Sequence, residues 1–204
     1  MLASIILSGG ASQRMGSPKA LLPYQGRPFL EHLLEVTIHP KITARRVVLG
    51  KDAEPISSAV PLAREEIVIN PRWEEGQLSS IQAAIRSLPP GTEGMILCLI
   101  DHPLISGTLV NDLIEAFYSP QSLGQTRIVL PTFRGQRGHP VIFSASLYQE
   151  LLTAPGDKGA RAVVWAHSAE VLEMPTNEQG CVLARLTRGG FGVRLSAASR
   201  RGRR

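Results

Sequence analysis

The sequence predicts a single α/β domain with three layers, in which helices cover both faces of a mostly parallel sheet. Short apolar runs, often β-branched, alternate along the chain with segments whose apolar residues recur at helical spacing. This alternation favours parallel strands joined by crossing helices. No linker rich in Gly, Ser or Pro divides the chain before residue 184, so we expect one domain over residues 1–183 and a tail over residues 184–204.

The predicted elements follow from these patterns in chain order. Five brief apolar runs predict buried strands over residues 4–7, 46–49, 67–70, 95–100 and 128–130. Apolar residues at helical spacing predict helices over residues 29–38, 78–88 and 109–117. Pro28 suits the first turn of the first helix, and Pro89-Pro90 closes the second. Because ligands of such sheets bind where parallel strands end, we expect the segments after the strands to carry the functional residues.

Composition and charge exclude several classes of protein. No apolar stretch approaches the ~20 residues of a membrane-spanning helix, so we expect no membrane segment. The net charge is +5, but seven of the 22 basic residues follow residue 183, and the 15 that precede it face 17 acidic residues, a net of −2. This distribution argues against a nucleic-acid-binding body. Cys98 and Cys181 lie far apart without metal-ligand spacing, which predicts free thiols in a reducing cytoplasm.

The loop after the first predicted strand, SGGASQRMGSPK, suits an anion. Gly9 and Gly10 allow successive backbone N–H groups to turn toward one phosphate. Ser12 adds a hydroxyl, Arg14 a fork of donors and Lys19 a mobile positive charge. The alternative is a strand-to-helix turn with two solvated basic residues. The combination of all five residues favours phosphate binding, although neither the Walker nor the dinucleotide pattern fits.

A carboxylate, Asp101, follows the strand predicted over residues 95–100. Mg²⁺ needs only one or two protein carboxylates beside substrate phosphate oxygens, so this position suits a magnesium ligand. The alternative is a capping or Asx-turn role before Pro103, and the two roles are compatible.

Four motifs together resemble a known family. Residues 7–23 resemble the N-terminal signature of the nucleotidyltransferases that attach a nucleoside monophosphate to the molybdenum cofactor. Residues 70–80, 135–141 and 156–161 resemble that family's Asn-Pro-x-Trp, Gly-His-Pro-Val and Gly-Asp-x-Gly-Ala-Arg segments. The short gap before Lys19 is similar to the cytidylyltransferase branch, whereas the paired glycines are closer to the guanylyltransferase branch. The resemblance covers residues 3 to about 165.

The resemblance implies a Rossmann-like nucleotidyltransferase that joins CMP from CTP to the terminal phosphate of a molybdopterin-type cofactor, with Mg²⁺ and release of pyrophosphate. It assigns catalysis to Lys19, Arg14 and Asp101, and the metal to Asp101. The nucleotide would be held by Leu7, Ser8, Gly9, Gly10, Ser12, Arg14, Lys19, Asn70, Gly76, Ser79 and Ser80. The cofactor substrate would be held by Gly138, His139, Pro140, Asp157 and Arg161, although the last two could instead form a local ion pair. Trp73 could stack on the base or simply pack.

Other functions stay open beside this one. GTP could replace CTP, and a different phosphate acceptor, such as a sugar phosphate, could replace the cofactor. A catalytically weak binding protein that serves a molybdoenzyme apoprotein is the alternative outside enzymes.

The C-terminal segment departs from the family pattern. Relatives carry a second acidic element there, whereas no acidic residue follows Glu178 and residues 184–204 are rich in arginine. A one-nucleotide shift in this region can encode an acidic segment like the missing one. We therefore predict that residues 184–204 result from a frameshift and do not pack, with a genuine basic tail as the alternative.

Overall fold

A computed structural model describes residues 1–10, 17–120, 122, 124–156, 158–185 and 193–195. The strands of these residues are β1 (Leu2–Ser8), β2 (Pro23–Tyr24), β3 (Arg27–Pro28), β4 (Ile42–Leu49), β5 (Ile67–Ile69), β6 (Gly94–Leu99), β7 (Ile128–Phe133), β8 (Gln136–Arg137), β9 (Val141–Ser144), β10 (Val171–Pro175), β11 (Leu183–Arg185) and β12 (Val193–Leu195). The α-helices are α1 (Phe29–Val36), α2 (Ala53–Ala59), α3 (Gln77–Arg86), α4 (Gly107–Phe117), α5 (Tyr148–Thr153) and α6 (Ala160–Ala166).

The main sheet has the strand order β10-β7-β9-β6-β1-β4-β5, with β8 paired to β7. The central strand β1 runs parallel to both of its neighbours, β4 and β6, and β5 and β10 also pair in parallel. Strand β9 runs antiparallel between β6 and β7. The predicted mostly parallel sheet is therefore confirmed.

Strand β9 was not among the predicted strands. The chain reverses its direction before β9, in the tight turn that joins β7 to β8. Arg134 and Gly135 both have positive φ, 50° and 77°, as a two-residue hairpin turn requires. The chain then returns along β7 through β8 and enters β9 beside β6. This route gives a four-residue antiparallel strand between two longer ones that run in the opposite direction.

The three-layer prediction is confirmed by two separate apolar cores, one on each face of the sheet. Side chains alternate along β1, so Leu2 and Ile6 join the core under α1 and α4, whereas Ile5 and Leu7 join the core under α3, α5 and α6. All seven residues of β1 are buried, as expected for a strand that is covered on both faces.

The three predicted helices are present, with small differences at their ends. Helix α1 stops at Val36, where the Thr37 hydroxyl donates to the Leu33 carbonyl oxygen at 2.8 Å. Helix α4 begins at Gly107, because the Ser106 side chain accepts from the Leu109 amide at 3.0 Å and caps the helix. None of the helices in the described part of the chain is long and apolar enough to cross a bilayer.

The C-terminal segment is described only in part. Strand β11 pairs antiparallel with β12, whereas residues 186–192 and 196–204 lie outside the described residues. The frameshift and the basic tail therefore both remain predictions.

Candidate functional site

A cavity of about 240 Å³ opens where three neighbouring strands, β1, β4 and β6, end. This is the sheet edge at which ligands of parallel sheets bind. The predicted site residues that line it are Leu7, Ser8, Gly9, Gly10, Lys19, Gly76, Ser80 and Asp101. Two further predicted ligands, Ser12 and Arg14, lie outside the described residues.

The position of Asp101 follows from the pairing of the central strands. The Ile100 amide donates to the Leu7 carbonyl oxygen at 3.1 Å, so the end of β6 is fixed beside the end of β1. Asp101 is the next residue, and its side chain is 28% exposed toward the cavity that it lines. The chain turns immediately afterwards, with the His102 amide donating to the Leu99 carbonyl oxygen at 3.0 Å.

Lys19 reaches the same cavity from a short 3₁₀ helix over Lys19–Leu21. The following residue, Ala20, is fully buried in the core and anchors that helix. A positive side chain and a carboxylate thus line one cavity beside the Gly9-Gly10 turn.

The walls of this cavity approach so closely that position 50 requires glycine and position 9 leaves little room for a side chain. A Cβ on Gly50 would lie 2.2 Å from the Gly9 carbonyl oxygen and 2.8 Å from the Trp73 Cβ. A Cβ on Gly9 would lie 3.0 Å from the Ser80 hydroxyl oxygen. The loops after β1 and β4 are therefore in backbone contact, and no larger residue fits at position 50 without a shift of the chain.

Asn70 and Ser79 support the cavity from behind and are not among its lining residues. The Asn70 side chain is 2% exposed, and its amide nitrogen donates to the hydroxyls of Ser79 and Ser80 at 2.9 and 3.0 Å. Its carbonyl oxygen accepts from the Arg72 amide at 3.0 Å, and Ser79 donates to the Gly76 carbonyl oxygen at 2.8 Å. This network fixes the loop between β5 and α3, so Asn70 acts here as a scaffold residue.

Two histidine rings lie behind Asp101. The His102 Nε2 lies 4.0 Å from the Asp101 Oδ1, and the ring centroids of His102 and His139 are 5.1 Å apart. Burial lowers the pKa of His102, although Asp101 opposes the shift. Burial, with a further contribution from His102, lowers the pKa of His139 to about 3. Both rings are therefore neutral at pH 7.

A second cavity, of about 500 Å³, lies beside the first. Gln77, the first residue of α3, lines both cavities. The predicted cofactor-binding residues Gly138, His139 and Arg161 line the second one, whereas Pro140 is buried and not among its lining residues. Asp157 lies outside the described residues.

The loop that carries Gly138 and His139 is held by backbone contacts. The Gly138 amide donates to the Pro131 carbonyl oxygen, and the His139 amide to the Cys181 carbonyl oxygen, each at 2.8 Å. A Cβ on Gly138 would lie 2.5 Å from the Cys181 carbonyl oxygen. Glycine at position 138 is therefore a packing requirement for the wall of the second cavity.

Sequence reasoning did not single out several residues that line the cavities, among them Asp52, Gln77 and Trp165. Asp52, just before α2, adds a second carboxylate to the first cavity, and Gln77 joins the two cavities. Trp165 lines the second cavity from α6. The position of Asp52 after the carboxyl end of β4 was a usable signal, because loops at that sheet edge face ligands.

The first cavity suits a hydrated divalent cation. Among the described residues no group of three or more His, Cys, Asp or Glu side chains could hold a metal. Mg²⁺ does not need such a group, because it takes one or two carboxylates and completes its shell with water and phosphate oxygens. Asp101 is partly exposed and lines the cavity beside the Gly9-Gly10 turn, so it could supply such a carboxylate.

Comparison with known proteins identifies relatives along most of the chain. A model of the MobA-like NTP transferase domain matches residues 4–171. Nicotine blue oxidoreductase of Paenarthrobacter nicotinovorans is 32% identical, over 78% of this chain and 79% of that protein. A probable molybdenum cofactor guanylyltransferase of Mycobacterium avium is 28% identical, over 85% of this chain and 86% of that protein.

Among solved structures, Rv0371c from Mycobacterium tuberculosis aligns with a TM-score of 0.72 and 27% identity, covering 86% of this chain and 87% of that one. A second crystal structure of that protein, described as a complex with manganese, aligns with a TM-score of 0.68 and 25% identity over 86% of this chain and 88% of that one.

Proposed function

The chain belongs to the MobA-like NTP transferase family, and on that premise we propose that it transfers CMP from CTP to the terminal phosphate of a molybdopterin-type cofactor. The family confirms the predicted resemblance and the prediction of a nucleotidyltransferase. The nucleotide, the acceptor and the residue roles are the proposal.

One observation carries the proposal. Lys19 and Asp101 line the same cavity as the Gly9-Gly10 turn, at the edge where the parallel strands β1, β4 and β6 end. Backbone N–H groups and an ammonium group attract a triphosphate, and a carboxylate at the same place attracts the cation that accompanies it. A nucleoside triphosphate with its bound cation can interact with the N–H groups, the ammonium group and the carboxylate at the same time.

The reaction needs placement and charge neutralisation more than proton transfer. A phosphate oxygen of the acceptor forms a bond to the α-phosphorus of CTP, and the bond from that phosphorus to its bridging oxygen breaks, so that pyrophosphate leaves. In the proposal Lys19 and Arg14 neutralise the charge that accumulates on the phosphates. The acceptor oxygen is already deprotonated near neutral pH, so no general base is needed, and the lowered pKa values of His102 and His139 make both rings weak bases.

Mg²⁺ is the proposed metal, and Asp101 is the residue that would hold it. When bound, it would supply further neutralisation of the triphosphate. The manganese complex of Rv0371c supports the use of a divalent cation by a relative of this chain.

The second cavity is the proposed acceptor site. Gln77 lines both cavities, so a molecule held in the second can reach the nucleotide in the first. Gly138, His139 and Arg161 line this second cavity, and Arg161 offers a donor fork to a phosphate.

The choice of CTP over GTP depends on two motifs. The short gap before Lys19 and the Gly138-His139-Pro140 segment resemble the cytidylyltransferase branch. The Mycobacterium avium relative is named a guanylyltransferase, which keeps GTP as the direct competitor.

Pyrophosphate release tests the proposal. The protein is incubated with CTP or GTP, with Mg²⁺, and with molybdopterin or a sugar phosphate as acceptor. We expect release with CTP and molybdopterin, and one CMP joined to the cofactor for each pyrophosphate. Release with GTP only would reverse the base assignment. Absence of release in every combination, with nucleotide binding retained in calorimetry, would favour the weak binding partner of a molybdoenzyme.

The 32% identity to a protein named an oxidoreductase favours a second candidate, a redox reaction at the same cavities. Hydride transfer requires a donor such as a reduced nicotinamide. Loss of NADPH absorbance in the presence of an acceptor, without pyrophosphate release, would support this candidate against the first.

A further inference from the structure

Trp165 lies at the second cavity with most of its side chain in solvent. It is 63% exposed and is the only aromatic residue among the large exposed hydrophobic side chains of the described residues. Helix α6 packs into the core through Val163, which is 1% exposed. The indole of Trp165 is therefore little used in holding the helix, and its exposure leaves apolar surface at the mouth of a cavity.

A guanidinium group lies beside this indole. Arg161 is one helical turn before Trp165, and its Cζ is 5.9 Å from the ring centroid, within the range of a cation–π contact. Both side chains line the cavity. They therefore present a flat aromatic surface and a positive charge to the same ligand.

The charge and shape of the cavity favour a particular kind of ligand. Arg137 and Arg161 contribute two positive charges, and Glu173, which pairs with Arg137 at 2.6 Å, contributes one negative charge. Burial keeps His139 neutral, so the lining favours an anion. Apolar side chains such as Leu130 and Phe143 also line the cavity, whose volume of about 500 Å³ suits a small heterocyclic molecule.

We propose that Trp165 is a stacking residue that favours acceptors with a planar heteroaromatic ring and an anionic group over sugar phosphates. The proposal rests on the function proposed above, since it names the class of acceptor for that same cavity. An aromatic face gains most from stacking on a planar heteroaromatic ring, whereas a sugar ring offers it only C–H groups and no π-face.

Calorimetric binding of two anions tests this directly. Pterin-6-carboxylate is the planar probe, glucose 1-phosphate is the non-planar probe, and each is titrated into the full-length protein. We expect Trp165→Ala to weaken binding of the pterin roughly 5- to 150-fold, the range that corresponds to loss of one stacking contact. Trp165→Phe keeps an aromatic face, so we expect it to recover most of the affinity. Ile38→Ala, which truncates another exposed apolar residue, is the control and should change neither titration.

Fluorescence locates the bound ring. The protein has two tryptophans, Trp73 in the first cavity and Trp165 in the second. In Trp73→Phe, all tryptophan emission comes from Trp165, and we expect saturable quenching by the pterin with the same midpoint as the calorimetric titration.

Three results would overturn the inference: equal pterin affinity in Trp165→Ala and the parent, equal losses for both probes, or no pterin binding to the parent. Because binding is measured without turnover, the outcomes separate from those of the proposed function. Pterin binding through Trp165 without pyrophosphate release would refute the transferase proposal alone. Transfer to molybdopterin that Trp165→Ala leaves unchanged would refute the stacking role alone.

Discussion

The two cavities meet at Gln77 but are built in different ways. The first cavity is enclosed by loops that leave β1, β4 and β6, and neutral hydrogen bonds around Asn70 support one of its walls. The second is about twice as large, has Arg137 and Arg161 in its lining, and contains the ion pair between Arg137 and Glu173.

This difference shows why one cavity is easier to find in a sequence than the other. Phosphate binding needs glycines and a cation at fixed spacing after a strand, which leaves a recognisable pattern. The apolar lining of the second cavity consists of residues such as Leu130 and Phe143, which look like any other core residue in a strand.

The largest expected effect tests the charge of the first cavity. We expect Asp101→Asn to lower pyrophosphate release by roughly 100-fold or more, because it removes the proposed metal ligand and leaves a neutral group of the same size. CTP binding, measured by calorimetry, should persist. The control is Asp112→Asn, an exposed residue on α4. Unchanged turnover in Asp101→Asn would contradict the proposal that the first cavity holds the metal through Asp101.

The next effect tests the backbone contact between loops. We expect Gly50→Ala to lower the free energy of unfolding by about 1–3 kcal/mol, because its Cβ would lie 2.2 Å from the Gly9 carbonyl oxygen. Urea denaturation measures the change. Gly107→Ala is the matched control, since its nearest neighbour lies at 4.0 Å. Equal stability of the two variants would contradict this expectation, because it would mean that the loops after β1 and β4 move apart at no cost to accommodate the added Cβ.

A third effect separates scaffold from ligand in the first cavity. We expect Asn70→Ala to lower the free energy of unfolding by about 1–3 kcal/mol, since the Arg72 amide loses its acceptor and two serine hydroxyls lose a donor. The exposed residue Asn177 provides the control, Asn177→Ala. A loss of CTP affinity without any loss of stability would instead identify Asn70 as a direct ligand.

The smallest effect concerns α6, beside the second cavity. Hydrogen bonds from His167 to Glu150 and Glu170 raise its pKa in the folded protein. This contribution to stability is therefore complete below its unfolded pKa of about 6.5 and is lost as the pH rises through the higher folded value. We expect the difference in unfolding free energy between the parent and His167→Gln to be below about 1 kcal/mol at low pH and to vanish at alkaline pH.

Urea titrations of both proteins at a series of pH values measure this difference. Subtraction removes the shared contributions of His102 and His139, whose pKa shifts have the opposite sign. A difference that grows with pH would contradict the assignment of these ion pairs to the folded state.

Much of the fold was predictable from local pattern, and the exceptions have physical causes. Continuous apolar runs predicted the strands β1, β4, β6 and β7. Apolar residues that recur with the helical period of 3.6 predicted the helices α1, α3 and α4. Strand β10 escaped because its residues are only partly buried or exposed, so its sequence lacks a continuous apolar run. Strand β9 escaped because it directly follows a motif that was interpreted as a binding loop.

The candidate site divides in the same way. Gly9, Gly10, Lys19 and Asp101 were predictable because each residue type is suited to phosphate or metal. Gly50 and Trp165 were not predictable. Their importance depends on which residues lie near them in the folded protein, and a single sequence does not give those distances. Asn70 was predicted as a ligand, and that role stays a prediction; its buried hydrogen bonds to Ser79 and Ser80, which support the loop, depend on side chains that meet only in the fold.

The antiparallel strand β9 begins at the edge of the sheet where its neighbours β6 and β7 end. Where all strands run the same way, the chain only departs at that rim, and each strand contributes a single outgoing turn. Here β6 departs there at Asp101, while β9 arrives there at Val141 after a turn that left β7. Exit and arrival lie next to one another, so the outgoing turn contributes Asp101 to the first cavity while the incoming strand contributes Val141 to the second.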